Sequence, residues 1–168
     1  MFRVGDMVVY GGHGVCRIVS EEKLSVDRKR MNFFILQPIS QSNDRYYVPS
    51  ENEAVLSKLK PLLSQSELDE LLRSGKILKY DWIDDENKRK QMYRELIHSG
   101  DRYSLLGMVH SLYAHKRDLA DTGRKMHLCD ENFLRDAQKL LDSELALVLG
   151  IDPVDVGSYV VSKLGADA

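Results

Sequence analysis

Trp82 is the only tryptophan in the chain, and cations gather on both sides of it. Between Arg73 and Arg94 stand Arg73, Lys76, Lys79, Lys88, Arg89, Lys90 and Arg94, against four acids, Asp81, Asp84, Asp85 and Glu86. A flat aromatic ring among ammonium and guanidinium groups suits nucleic-acid contact. The ring wedges at a base or groove edge, and the cations meet phosphates. The same residues carry a second reading. Trp82 and Ile83 staple a helix start to a bundle, and Lys88-Arg89-Lys90 is a solvated helix face. Both readings stand on the residues alone. The formal net charge of the whole chain is −2. That disfavours strong autonomous binding to nucleic acid, because phosphate contacts supply most nonspecific affinity. A local basic face still suffices when binding has other support.

No other constellation offers chemistry. Gly11-Gly12-His13-Gly14 lacks the Lys-Ser/Thr of a phosphate loop and lies between two strand-like runs, so it reads as a turn. His110 and His115 are five residues apart, on different helix faces, with no Glu between them in zincin spacing. Cys16 and Cys129 lie far apart without metal-like spacing and read as free thiols in a reducing compartment. No Gly-x-Ser-x-Gly elbow occurs. Asp84, Asp85 and Glu86 suit the positive end of the helix they begin. These residues predict a protein that is no enzyme, with no cofactor and no metal. No apolar run is long enough to span a bilayer, so no membrane partner is expected. Met1-Phe2-Arg3-Val4-Gly5-Asp6 has no signal-like apolar stretch, and the expected location is cytoplasmic.

The pattern of the chain changes near its first third. Met7-Val8-Val9-Tyr10, Val15-Cys16-Arg17-Ile18-Val19, Phe33-Phe34-Ile35-Leu36 and Arg45-Tyr46-Tyr47-Val48 read as short strands. Asp27-Arg28-Lys29-Arg30 reads as a charged hairpin tip. Four or five such strands suit a small SH3- or Tudor-like β-barrel. The stretch from Pro49 to Pro61 reads as a joint. Beyond it, capped amphipathic helices follow one another. Ser64-Gln65-Ser66-Glu67 has capping-box spacing, and Gly75 is placed to stop that helix. Asp84 or Asp85, then Asp101, Asp130 and Asp152-Pro153, are placed to cap the next four. The fold class predicted is α+β, a β-barrel over residues 1–55 and a bundle of about five helices over residues 60–168.

Certain runs match a known pattern. Val4-Gly5-Asp6-Met7-Val8-Val9-Tyr10, His13-Gly14 and Tyr47-Val48-Pro49-Ser50-Glu51-Asn52 resemble the N-terminal domain of the CarD family of bacterial transcription regulators. Trp82, Ser99-Gly100-Asp101 and Ala137-Gln138-Lys139-Leu140-Leu141-Asp142-Ser143-Glu144-Leu145-Ala146 resemble its helical C-terminal domain. The N-terminal module also occurs in transcription-repair coupling factors, whose helicase motifs this chain lacks. The resemblance implies a Tudor-like domain that binds the β subunit of RNA polymerase. It also implies a helical domain that contacts promoter DNA at the upstream edge of the transcription bubble and stabilises the open complex without reading sequence. Carried onto this chain, it implies DNA contacts at Trp82, Lys79, Lys88, Arg89, Lys90 and Arg94. It implies polymerase contacts at Lys23, Leu24, Arg45, Tyr46 and Tyr47. The alternative is an interaction module of the same fold that binds polymerase or another protein without touching DNA.

Overall fold

The computed structural model describes residues 1–40, 42–73 and 80–164. Gly75, Lys76 and Lys79 lie outside the described residues. The chain divides into two units, Met1–Leu62 and Leu63–Ala168.

The first unit is an antiparallel sheet. Its strands are β1 (Met7–Tyr10), β2 (Val15–Val26), β3 (Lys29–Pro38), β4 (Tyr46–Pro49) and β5 (Leu59–Pro61), in the order β4-β3-β2-β1-β5. Alternation buries Val8, Cys16, Ile18, Phe34, Leu36, Val48 and Leu59 as one core. A 3-10 turn over Gly11–His13 joins β1 to β2. Gly11 at φ 45° and Gly14 at φ 76° occupy the left-handed region there, where a side chain would strain the backbone. The β2–β3 hairpin is longer than the apolar runs predict. Its charged outer half still pairs, down to Val26 opposite Lys29. Asp27 at φ 50° and Arg28 at φ 66° form the two-residue turn. Two left-handed residues match the twist of the flanking strands, so the ladder continues to the tip without an apolar face. The register slips between Ile18 and Ser20, a bulge that bends β2.

The stretch read as a joint is built into this unit. Asn52 caps a short helix, α1 (Glu53–Leu56), its side chain accepting from the Val55 N–H at 3.2 Å. β5 then pairs with β1, Leu59 opposite Tyr10. Three residues are too few to show a strand period, which is why sequence alone reads them as linker. Burial pushes the Cys16 thiol up to about 11. The thiolate is the reactive form, so Cys16 should resist alkylation in the native protein at pH 8. Mass-mapped iodoacetamide labelling should modify Cys16 only after denaturant is added.

The second unit is helical: α2 (Gln65–Arg73), α3 (Glu86–Ser99), α4 (Arg102–Asp121), α5 (Leu128–Leu149) and α6 (Val156–Leu164). Its helix starts follow local chemistry. The Ser64 Oγ accepts from the Glu67 N–H at 3.2 Å, and Glu67 returns a carboxylate to the Ser64 N–H at 2.7 Å. Asp85 caps α3 and Asp101 caps α4, each accepting from the N–H three residues on. Asp152 accepts from the Val154 N–H ahead of α6, with Pro153 at the first position. Gly100 at φ 62° and Gly150 at φ 66° close α3 and α5. The start of α5 differs from expectation. His127 is the N-cap residue, and Asp130 lies inside the first turn with its carboxylate turned inward. Tyr93, Leu105, Met108, Leu112, Leu134, Ala137 and Leu141 form the main core of the unit. A second cluster joins Leu68, Leu72, Leu145, Ala146 and Val156. Glu144 on α5 ties α4 to the chain ahead of α2. It accepts from the Arg102 guanidinium at 2.8 Å and from the Leu63 N–H at 3.1 Å.

Candidate functional site

The segment before α3 carries Trp82 and is pinned at several points. The Ser111 hydroxyl on α4 donates to the Tyr80 carbonyl at 3.0 Å and accepts from the Tyr80 N–H at 3.3 Å. Arg89, one turn into α3, is only 3 % exposed. Its guanidinium makes a bidentate pair with Asp130, at 2.9 and 3.0 Å. The remaining nitrogen donates to the Ile83 carbonyl at 2.8 Å and the Asp84 carbonyl at 3.4 Å. One cation therefore fastens the segment's backbone to α5. Its attachment to Asp130 raises the Arg89 pKa further above its ordinary value.

The Trp82 ring is partly buried against the main core of the unit. It stacks on His115 of α4, centroids 3.4 Å apart and planes 11° apart. The Arg89 guanidinium lies over the same indole at 4.5 Å. The ring is held by two neighbours and still reaches the surface. The packing matches the staple reading of Trp82, and part of the ring stays exposed.

The other predicted DNA contacts separate. Lys88 and Arg94 are exposed. Lys90 pairs with Glu86 one turn back. Lys79 lies outside the described residues. Arg89, expected at a phosphate, is instead held inside the unit, because its helix phase points it at Asp130. His115, Asp130 and Ser111 were not among the predicted site residues, yet they set the pose of the segment.

Burial lowers the His115 pKa below its ordinary value; Asp130 and Asp118 oppose this, while Arg89 and Arg124 add to it. The folded state thus binds the proton less readily than the unfolded chain. Stability from this group is present above the unfolded pKa, near 6.5, and is lost as pH falls through the folded value. Trp82 emission, which reports a single residue, should therefore show an acid transition that His115→Asn removes.

In the first unit, β4 is an edge strand, and among the described strands it pairs with β3 alone. Tyr47 on it is 54 % exposed, and Arg45 just before it is exposed. Tyr46 turns inward and meets His13 at 4.2 Å and Tyr10 at 5.8 Å. Lys23 and Leu24 lie in the outer half of the β2–β3 hairpin, opposite Asn32 and Met31. β4 covers only residues Phe33 to Leu36 of β3. The predicted polymerase set shares one sheet but not one row. Glu51 and Glu21 brace the exit of β4, accepting from Asn32 at 2.8 Å and from Ser50 at 2.9 Å.

Two family models match these units. Residues 2–60 match the CarD-like/TRCF RID domain, and residues 70–160 match the CarD C-terminal domain. The chain belongs to the CarD family. Its sheet unit is thus the Tudor-like domain of that family. CarD-family domains mark a transcription-related protein that interacts with RNA polymerase, and they are non-enzymatic regulators. Among the described residues of this CarD-family chain, no helix is long and apolar enough to cross a membrane.

Proposed function

We propose that the chain is a bacterial, cytoplasmic transcription regulator whose sheet unit binds the polymerase β subunit. Its helical unit then stabilises the open promoter complex through DNA contacts that do not read sequence. The observation that carries this reading is the presentation of Trp82. Its ring reaches the surface from a segment pinned by Arg89, Asp130 and Ser111. A preset aromatic ring loses little entropy on meeting a groove edge. The β4 edge supports the polymerase half, because unpaired strand groups accept a partner strand while side chains such as Tyr47 select it.

Tethering explains how a chain of net negative charge uses DNA. Once the sheet unit is on polymerase, DNA contact becomes effectively intramolecular, and weak affinity suffices. Contacts made only in the open state shift the closed–open balance tenfold for about 1.4 kcal/mol.

The stack of Trp82 on His115 favours a second reading, a polymerase-binding module that leaves DNA alone. Open-complex lifetimes on a labelled promoter, with and without the chain, separate the two. The proposed function expects a lengthened, salt-sensitive lifetime. The second reading expects polymerase binding with no salt-sensitive DNA component. For the β4 edge, Arg45→Glu with Tyr47→Ala should weaken titration onto a purified β-subunit fragment at least tenfold while the circular dichroism spectrum is kept. Unchanged affinity would move the interface off β4.

A further inference from the structure

The Gly11-Gly12-His13-Gly14 turn does more than reverse the chain. The Tyr10 N–H donates to the Gly14 carbonyl at 2.9 Å, and the Gly14 N–H donates to the Gly11 carbonyl at 3.3 Å. Left-handed glycines at 11 and 14 permit this closure. The closure holds His13 in the turn, exposed to solvent. Its ring meets Tyr10 at 5.0 Å and Tyr46 at 4.2 Å, and the two tyrosines meet edge to face at 5.8 Å. Each of the three rings thus touches the other two. Tyr10 and Tyr46 also pack against the core of the sheet unit.

These contacts join strands that are not neighbours. β2 and β3 stand between β1 and β4. In a flat sheet, with strands about 4.8 Å apart, β1 and β4 would lie about 14 Å apart. The β2 bulge bends the sheet, and the end of β1 meets the start of β4. β4 has four residues, and among the described strands it pairs with β3 alone. A strand so short frays unless its ends are held. Its far end is held where the Ser50 N–H donates to the Asn32 carbonyl at 2.9 Å, beside Glu21 and Glu51. Its near end is held by the ring cluster. Tyr47 is presented between the two.

We propose that His13 and Tyr10 are positioning residues for polymerase binding, which hold the start of β4 through Tyr46 and so preset its edge for a partner strand. The inference rests on the β4 reading of that binding. A partner strand adds to an edge through backbone bonds spaced along it, so an edge frayed at its start offers fewer of them. An edge already in place also loses less freedom on binding. His13 suits a clean test, because its ring is exposed and lies outside the apolar core of the unit.

The test uses the full chain and a purified fragment of the polymerase β subunit. Amide exchange over Tyr46–Pro49 reads the strand, titration reads binding, and melting curves read the fold. His13→Ala should speed exchange in β4 while the β2–β3 ladder stays protected. It should weaken binding about tenfold through the lost preorganisation, with the melting temperature kept. His13→Phe restores a ring and Tyr10→Phe retains one, so both should keep exchange and affinity near those of the wild type. Adding His13→Ala to Arg45→Glu with Tyr47→Ala should cost little more, because effects that pass through one edge are not additive. Normal affinity in His13→Ala overturns the inference while the β4 reading stands. A His13→Phe protein that binds as poorly as His13→Ala also overturns it, since the imidazole would then be a direct contact. So does a loss of binding with β4 exchange unchanged, or one matched by a general fall in melting temperature. If the wild type fails to bind the fragment, or Arg45→Glu with Tyr47→Ala binds normally, the β4 reading itself falls and takes the inference with it.

Discussion

Asp130→Ala will destabilise the helical unit by about 3–5 kcal/mol, the usual cost of stranding one member of a buried ion pair. The carboxylate is fully buried, and the guanidinium it binds is 3 % exposed. Removing the acid leaves Arg89 charged where water cannot reach it, and frees the backbone at Ile83 and Asp84. Urea unfolding of the full chain, followed by helical circular dichroism, measures the loss. Arg89→Lys should be damaging as well, because one ammonium cannot form the fork and also serve the carbonyls. Replacing both partners, by Arg89→Met with Asp130→Leu, should recover much of the stability, since no charge is then stranded. Trp82 emission should nevertheless remain altered in that double variant, because its segment has lost the guanidinium that pins it. A loss under about 1 kcal/mol for Asp130→Ala would show that the pair holds nothing together.

Trp82→Ala will cut the lengthening of open-complex lifetime by about tenfold or more. Contact between an aromatic ring and a base is worth about 1–3 kcal/mol, and under the proposed function that interaction forms only once DNA is opened. The same substitution also removes the stack on His115 and part of the core cover. Because the ring is only partly buried, the stability cost should fall below the 3–5 kcal/mol typical of aromatic truncation in a core. Trp82→Phe keeps a ring on the segment and should keep part of the gain. The pairing of a melting curve with a lifetime measurement decides the matter. A Trp82→Ala protein that melts much earlier yet, once folded, prolongs the open complex normally would make Trp82 a core residue and nothing more.

Local chemistry made much of this fold legible. Ser64 with Glu67, Asp85 and Asp101 are helix starts whose side chains reach their own backbone, so a few neighbouring residues determine them. The glycines that close α3 and α5 are equally local. The hairpin length and β5 were not legible, because cross-strand partners rather than apolar period define them. The candidate site was half legible. A lone Trp among cations drew attention, but charge counting treated Lys88, Arg89 and Lys90 as one face. Helix phase separates them. Arg89 lies three and four residues before Met92 and Tyr93, on the inward stripe. Asp130 lies four before Leu134 and seven before Ala137, on the inward stripe of α5. Opposite charges on the apolar phases of two helices are a signal for a buried pair, and the same logic fits Arg102 with Glu144. The stack of Trp82 on His115 had no such signal, since it depends on how the segment before α3 crosses α4.

The Arg89–Asp130 bond also sets an order of assembly on the ribosome. A chain emerges from its N-terminus, and its domains fold as units while synthesis continues. The sheet unit is complete once β5 has paired with β1, and among the described residues it draws no strand from later ones. Trp82 emerges next, then Arg89, which is 41 residues ahead of the carboxylate it needs. Until α5 is made, the tryptophan segment lacks its main anchor, although the sheet is already closed. A nascent or prematurely ended chain would thus hold a finished sheet and an unset tryptophan. Under the proposed function, such fragments would occupy the partner of the sheet without supplying the DNA contact, and so act as competitors of the complete protein.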